Sequence, residues 1–196
     1  RTVVPAGTPC RRDVLSGTYT RQFRETTSLR RHIFGLLPLR GVKSIFEPGC
    51  GTGLLGKRVM TLTEAKYTGM DIDAHILPRH RCFMQGNAEM DSPAAELYLC
   101  SFFFSSLRDP IKWLKRIPTD YFAVFGEYDY TRIGEEPDLG LADRLRTGLE
   151  QDGISTLHGG CLDGYFKTAG YVRLHGGEMK TSAGKPDRGF LSMHIQ

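Results

Sequence analysis

The residues best placed to do chemistry are Glu47-Pro48-Gly49-Cys50-Gly51-Thr52-Gly53. Three glycines at alternate positions let the backbone turn tightly and approach a ligand with no Cβ in the way. The apolar segment ending in Ile45-Phe46 reads as a strand before this turn, and residues 54–62 read as a helix after it. The start of such a helix offers free N–H groups and the positive end of a dipole, which suits an anion such as a carboxylate. Two frames fit the glycines. Gly51-Thr52-Gly53-Leu54-Leu55-Gly56 matches GxGxxG, the dinucleotide fingerprint, which implies a nicotinamide-dependent oxidoreductase. That fingerprint follows its strand directly, whereas Glu47-Pro48-Gly49-Cys50 intervenes here. The second frame is ExGxGxG, headed by Glu47. A carboxylate at that point repels a pyrophosphate and attracts a cation.

Two further clusters carry candidate catalytic groups. Gly126-Glu127-Tyr128-Asp129-Tyr130 is dense in polar side chains. Glu127 or Asp129 has the chemistry of a general base, and Tyr128 and Tyr130 that of groups that orient a substrate. The alternative is a surface loop whose acids cap the next segment. His158, in His158-Gly159-Gly160, is a histidine with the right titration range for a base but no partner identifiable from sequence. The five cysteines, Cys10, Cys50, Cys82, Cys100 and Cys161, are scattered and form no CxxC pair. Neither His75/His80/Cys82 nor His158/Cys161 matches a metal-ligand pattern, so no metal is expected. Scattered thiols suit a reducing compartment, which makes the cytoplasm the expected location.

The ExGxGxG frame after a strand resembles motif I of the class I S-adenosylmethionine-dependent methyltransferases, and later segments extend the resemblance in order. Tyr67-Thr68-Gly69-Met70-Asp71-Ile72-Asp73 looks like the family's second strand. The resemblance implies that Asp71, with Asp73 as second candidate, binds the ribose hydroxyls, a task for which a carboxylate accepting two protons is suited. Gln85-Gly86-Asn87-Ala88-Glu89 resembles the third-strand turn, with Asn87 reading the adenine edge, Ala88 beside it and Ile72 on the adenine face. Glu96-Leu97-Tyr98-Leu99-Cys100-Ser101-Phe102 resembles the fourth strand. Residues 40–130 carry the likeness. It implies S-adenosyl-L-methionine held by Glu47, Gly49, Cys50, Gly51, Gly53, Asp71, Ile72, Asn87, Ala88 and Cys100. It also implies an N-terminal helix folded over the cofactor as a lid, with Tyr19 touching the cofactor carboxylate.

Methyl transfer from a sulfonium is an in-line displacement in which alignment and exclusion of water do much of the work. Among Phe102, Phe103 and Phe104, strand alternation sends at least two into a core, leaving Phe102 as a candidate apolar substrate wall. The Asn/Asp-Pro-Pro-Tyr motif of exocyclic amine methyltransferases is missing, and no Pro-Cys pair follows the fourth strand. A small-molecule acceptor is therefore expected. The alternatives are a macromolecule, tRNA or protein, and a module that holds the cofactor without transfer.

The elements that must position these groups alternate strand and helix. Strands are expected at residues 42–46, 66–70, 82–85, 96–104, 121–125, 171–174 and 190–195, and helices at 18–37, 54–62, 73–77, 109–116, 139–151 and 161–169. Alternation of this kind gives an α/β, Rossmann-like fold, here a mostly parallel seven-stranded sheet flanked by helices. Residues 1–17 are expected to form an irregular basic arm and residues 18–196 a single domain. With 196 residues, 40% hydrophobic and 24% charged, the chain is of ordinary globular composition. No run of about 18 apolar residues occurs, so no membrane partner is expected. The net charge is +4, yet residues 1–40 alone hold eight arginines, no lysine and two acids. That basic segment is either a solvated face or a contact for nucleic acid.

Overall fold

The computed structural model describes residues 17, 20–21, 23–24, 27–37, 39–125, 127–128, 140–174, 177–181 and 191–195. Residues 1–16 of the expected basic arm, Tyr19, Asp129 and Tyr130 lie outside the described residues, as does the side chain of Tyr128. Helix α1 (Thr27–Leu36) leads into strand β1 (Ser44–Pro48), followed by α2 (Leu54–Val59), β2 (Lys66–Asp71), β3 (Phe83–Gln85) and β4 (Leu97–Ser101). Then come a 3-10 turn (Phe104–Ser106), α3 (Pro110–Arg116), β5 (Tyr121–Phe125), β6 (Glu127–Tyr128), α4 (Leu141–Gln151), α5 (His158–Thr168), β7 (Gly177–Thr181) and β8 (Leu191–Ile195).

The first five strands form a parallel sheet in the order β3-β2-β1-β4-β5, and β6-β8-β7 form a three-stranded antiparallel sheet. Only residue 126 separates β5 from β6. Counted as one strand, the pair makes seven strands among the described residues, divided between two sheets.

Both faces of the parallel sheet are covered, which is why its central strands read as unbroken apolar runs. Alternation along them feeds two cores. Ile45, Leu97 and Leu99 pack with Leu55 and Val59 of α2 on one side. Phe46, Tyr98 and Cys100 pack with Trp113 and Leu114 of α3 and Leu162 of α5 on the other. Helix α3 starts as its residues dictate: Pro110 occupies the first turn and Asp109 Oδ1 accepts the Lys112 N–H at 2.9 Å.

Four expected elements differ. Residues 73–77 form turns instead of a helix. Tyr171–Leu174 is not a strand; β7 begins at Gly177 instead. The fourth strand stops at Ser101 because Phe102 takes φ +54°, which ends the pleat. The last helix starts at His158, three residues earlier than its apolar pattern suggests.

Candidate functional site

The sheet order reverses between β1 and β4: the chain runs outward through β2 and β3, then returns to β4 on the other side. In open α/β sheets the crevice beyond the strand ends at this switch is where ligands bind. A cavity of about 570 Å³ lies there. Its wall comes from the ends of four strands: Glu47 and the Gly49–Thr52 turn after β1, Met70–Ile72 at β2, Gly86–Glu89 after β3 and Ser101–Phe103 after β4.

The glycine turn is built as its spacing demands. Gly49, Gly51 and Gly53 all have left-handed backbones, with φ of 65°, 53° and 69°. Its apex is tied to β2. The Cys50 N–H donates to the Met70 carbonyl at 2.9 Å, and the Gly51 N–H donates to Asp71 Oδ2 at 2.8 Å. The other carboxylate oxygen, Oδ1, accepts the Asp73 N–H at 2.9 Å. Each oxygen of Asp71 thus has one protein partner and retains accepting capacity on a half-exposed wall. Beside it Ile72 is 68% exposed, an apolar side chain on the cavity wall. The Asn87 side-chain oxygen accepts the Glu89 N–H at 2.9 Å, which fixes the amide and leaves its NH₂ end without that constraint. Ala88 is buried, its carbonyl accepting the Trp113 indole N–H at 2.9 Å.

Glu47 is a strongly perturbed group on the wall. Burial pushes its carboxyl up to about 8, and the charge of Asp71 adds to the rise. The Tyr67 hydroxyl donates to Glu47 Oε2 and opposes it. Burial also raises the Cys50 and Tyr67 protons far above the ordinary range, so the thiol and the phenol stay neutral. Tyr67 reaches Glu47 because Gly56 of α2 has no side chain; a Cβ there would overlap the phenol ring.

Eight of the residues expected at a cofactor, Glu47, Gly49, Cys50, Gly51, Asp71, Ile72, Asn87 and Ala88, converge on this cavity, as does Phe102. Others do not. Gly53 caps α2 and faces Phe83 and Pro78, turned away from the cavity. Cys100 is fully buried on the opposite face of β4, and Ser101 takes its place on the wall.

The candidate bases are placed elsewhere too. Glu127 is 1% exposed and not on the wall. Its Oε1 accepts the N–H groups of Phe103 and, at 2.8 Å, Phe104, and its Oε2 accepts that of Ser105 at 3.4 Å. Burial raises its carboxyl to about 7 against these hydrogen bonds. It is a clamp on the turn that carries Phe102 and Phe103, not a base open to a substrate. His158 has both ring nitrogens engaged, Nδ1 with the Tyr165 hydroxyl at 2.7 Å and Nε2 with the Leu107 carbonyl at 3.1 Å. A carbonyl can only accept, so Nε2 carries the proton and Nδ1 receives the Tyr165 hydroxyl. This histidine ties α5 to the loop after the 3-10 turn.

Sequence reasoning passed over Phe23, Arg30 and Arg108. The first two lie on the N-terminal helical segment, and the Arg30 guanidinium carbon sits 3.4 Å over the Phe23 ring. Their separation of seven residues, two helical turns, was the available signal. Among the described residues no group of three His, Cys, Asp or Glu side chains is placed to hold a metal, and no helix is long and apolar enough to cross a membrane.

No protein-family model matches the chain, and no curated protein matches it. Solved structures do. A S-adenosylmethionine-dependent methyltransferase from Mesorhizobium loti aligns with a TM-score of 0.56 at 15% identity, over 85% of this chain and 96% of that one. A methyltransferase of the same dependence from Aquifex aeolicus aligns with a TM-score of 0.59 at 11% identity, over 95% and 99%. Human N-acetylserotonin methyltransferase, solved with S-adenosylmethionine, aligns with a TM-score of 0.56 at 16% identity, over 93% of this chain and 55% of that one. The chain has the Rossmann-like fold of the S-adenosylmethionine-dependent methyltransferases.

Proposed function

We propose that the chain is an enzyme that binds S-adenosyl-L-methionine in the switch-point cavity and transfers its methyl group by in-line displacement. The observation that carries this reading is the pairing of Asp71 with the glycine turn. A half-exposed carboxylate, held by Gly51 and Asp73, stands at the end of β2 beside an exposed Ile72. That combination fits a ribose next to a flat apolar ring. When bound, the cofactor supplies an electrophilic methyl group on a sulfonium whose thioether leaves without needing a proton.

The chain's own residues then have distinct tasks. Asp71 accepts hydrogen bonds from the two ribose hydroxyls. Asn87 meets the adenine edge and Ile72 its face. Glu47, in its ionised form, attracts the ligand's amino and sulfonium charges. The cations on the wall, Arg30 and Arg108, suit its carboxylate. Ser101, Phe102 and Phe103 close the side of the cavity at β4 and exclude water from an acceptor lying there.

The acceptor in this reading is a small molecule, supported by the recessed apolar wall of Phe102 and Phe103. Neither Glu127 nor His158 lines the cavity, so in this reading alignment provides the catalysis, any proton goes to Asp129 or solvent, and Tyr128 and Tyr130 orient the acceptor. The test is calorimetric titration with S-adenosylmethionine, with NAD as comparison. Saturable micromolar binding of the former, lost in Asp71→Ala, supports the reading. Binding of NAD in its place overturns it, and binding without methyl transfer to any acceptor in a screen reduces the chain to a cofactor-holding module.

A further inference from the structure

The end of α2 and the turn before β3 bring three donor side chains together outside the switch-point cavity. Cys82 Sγ lies 3.0 Å from His80 Nδ1 and 3.9 Å from Met60 Sδ. None of the three lines that cavity. Each stands on backbone that the fold holds in place. The Met60 N–H donates to the Gly56 carbonyl at 2.9 Å as α2 closes. The His80 N–H donates to the Pro78 carbonyl at 2.9 Å, and the Phe83 N–H to the His80 carbonyl at 3.0 Å. The Cys82 carbonyl accepts the Gly69 N–H at 2.8 Å, which ties this turn to β2.

The donor atoms face one another. The Cys82 N–H also approaches His80 Nδ1, at 3.4 Å, and a backbone N–H can only donate. Nδ1 is therefore the nitrogen with the lone pair, and it is turned toward the thiol. Met60 meets the same sulfur from the end of α2. Imidazole and thiolate bind a first-row metal at about 2.0–2.3 Å, so donors round one trigonal centre lie about 3.5–4 Å apart. The two sulfurs already stand at that separation. His80 and Met60 are exposed, and the imidazole has to swing outward by only about half an ångström. Thiolate and thioether are soft donors that select Cu(I), and imidazole also suits copper. A structural zinc ion takes four nitrogen, thiolate or carboxylate donors. Among the described residues no group of three His, Cys, Asp or Glu side chains is placed to begin such a set.

We propose that Met60, His80 and Cys82 form a three-coordinate site for a soft monovalent cation, Cu(I). On binding, the Cys82 S–H bond breaks, its proton goes to the buffer and the sulfur lone pair bonds the metal. His80 Nδ1 and Met60 Sδ supply the other two lone pairs. The copper enters and stays as Cu(I), so no oxidant or reductant takes part. Cysteine and histidine spacing could not reveal the set, because Met60 is 22 residues from Cys82 and only the fold joins them. The inference goes beyond methyl transfer and does not depend on it.

The test is anaerobic titration of the full chain with Cu(I) against a chromophoric Cu(I) chelator, followed by copper K-edge absorption of the loaded protein. One equivalent is expected to be held most tightly, with one nitrogen and two sulfur neighbours. Cys82→Ser is expected to lose that equivalent. Met60→Leu keeps the apolar bulk at the end of α2, so it tests the site even where the cysteine variant fails to fold. It is expected to weaken Cu(I) binding tenfold or more and to leave one sulfur neighbour. Excess Zn(II) is expected not to displace the copper. Failure of the chain to compete with the chelator overturns the proposal, as does undiminished binding by Cys82→Ser. So does a two-sulfur signature that survives in Met60→Leu, which would move the copper to other thiols such as the exposed Cys161. Displacement by Zn(II) overturns it as well.

Discussion

The backbone N–H of Gly51 donates to the Asp71 carboxylate at 2.8 Å, joining the glycine turn of one strand to the terminal acid of the next, twenty residues on. One side chain therefore serves two purposes. It shapes the turn and it presents the remaining lone pairs to the cavity.

Substitution at Asp71 separates those purposes. Asp71→Asn keeps one carbonyl oxygen for Gly51 but replaces the other acceptor with a donor. It is expected to fold and to weaken S-adenosylmethionine binding by about 1.5–3 kcal/mol, the range of a hydrogen bond to a charged group. Asp71→Ala loses both functions and is expected to lower the melting temperature as well. Calorimetry combined with thermal unfolding checks both outcomes.

Glu47 predicts a proton release. Near pH 7 a carboxyl raised to about 8 is mostly protonated. A cationic ligand favours the ionised form, so binding lowers the pKa and sends a proton to the buffer. The heat of S-adenosylmethionine binding should then depend on the ionisation enthalpy of the buffer, and Glu47→Gln should abolish that dependence. The hydroxyl of Tyr67 works to lower this carboxyl, so Tyr67→Phe should move the release to higher pH.

Stability should fall as pH rises. In the unfolded chain both Glu47 and Glu127 ionise near 4.5, whereas in the folded chain they hold their protons up to about 8 and about 7. Between those limits the unfolded state binds fewer protons. The stabilisation is complete below about 4.5 and is lost through the folded values. The slope is at most about 1.4 kcal/mol per pH unit for each carboxyl. Urea unfolding at pH 5.5, 7 and 8.5 measures it. Glu127→Gln should flatten the curve between about 4.5 and 7 and cost about 1–3 kcal/mol at low pH through mismatched N–H groups.

Gly56→Ala tests the contact between α2 and β2. The new methyl group would overlap Tyr67, whose ring is held edge-on to Phe83 with centroids 5.7 Å apart. An overpacking cost of about 1–3 kcal/mol is expected, with loss of the Tyr67–Glu47 hydrogen bond. Chemical denaturation and the proton-release assay report the two effects.

The parts of this architecture written in apolar runs bounded by glycine, proline or aspartate were legible in the sequence. Strands β1, β2 and β5 and helix α3 fall close to their expected places. The run Phe102-Phe103-Phe104 misleads because apolar residues read as a continuing strand, and nothing in their types announces the left-handed backbone at Phe102. Residues 73–77 lack enough turns of helix to outweigh nucleation, and local turns win. The glycine turn, Asp71 and Asn87 could be placed because each sits at the end of a recognisable strand. Glu127 and His158 could not, since an acid among polar residues or a histidine beside glycines carries no mark of burial. Their hydrogen-bond partners, Phe104 and Leu107, are 23 and 51 residues distant.

The position of β1 between β2 and β4 bears on how the chain is made. Its partner β2 is the next strand to be synthesised, but its other edge waits for Leu97 and Tyr98. At a synthesis rate of roughly 5–20 residues per second, that edge stays open for several seconds on the ribosome. Ile45 and Phe46, later 1% exposed, lie on that strand throughout. A nascent chain halted before β4 thus displays an apolar strand ready to pair with a neighbour, and premature termination in this interval yields aggregating fragments in place of a smaller folded unit.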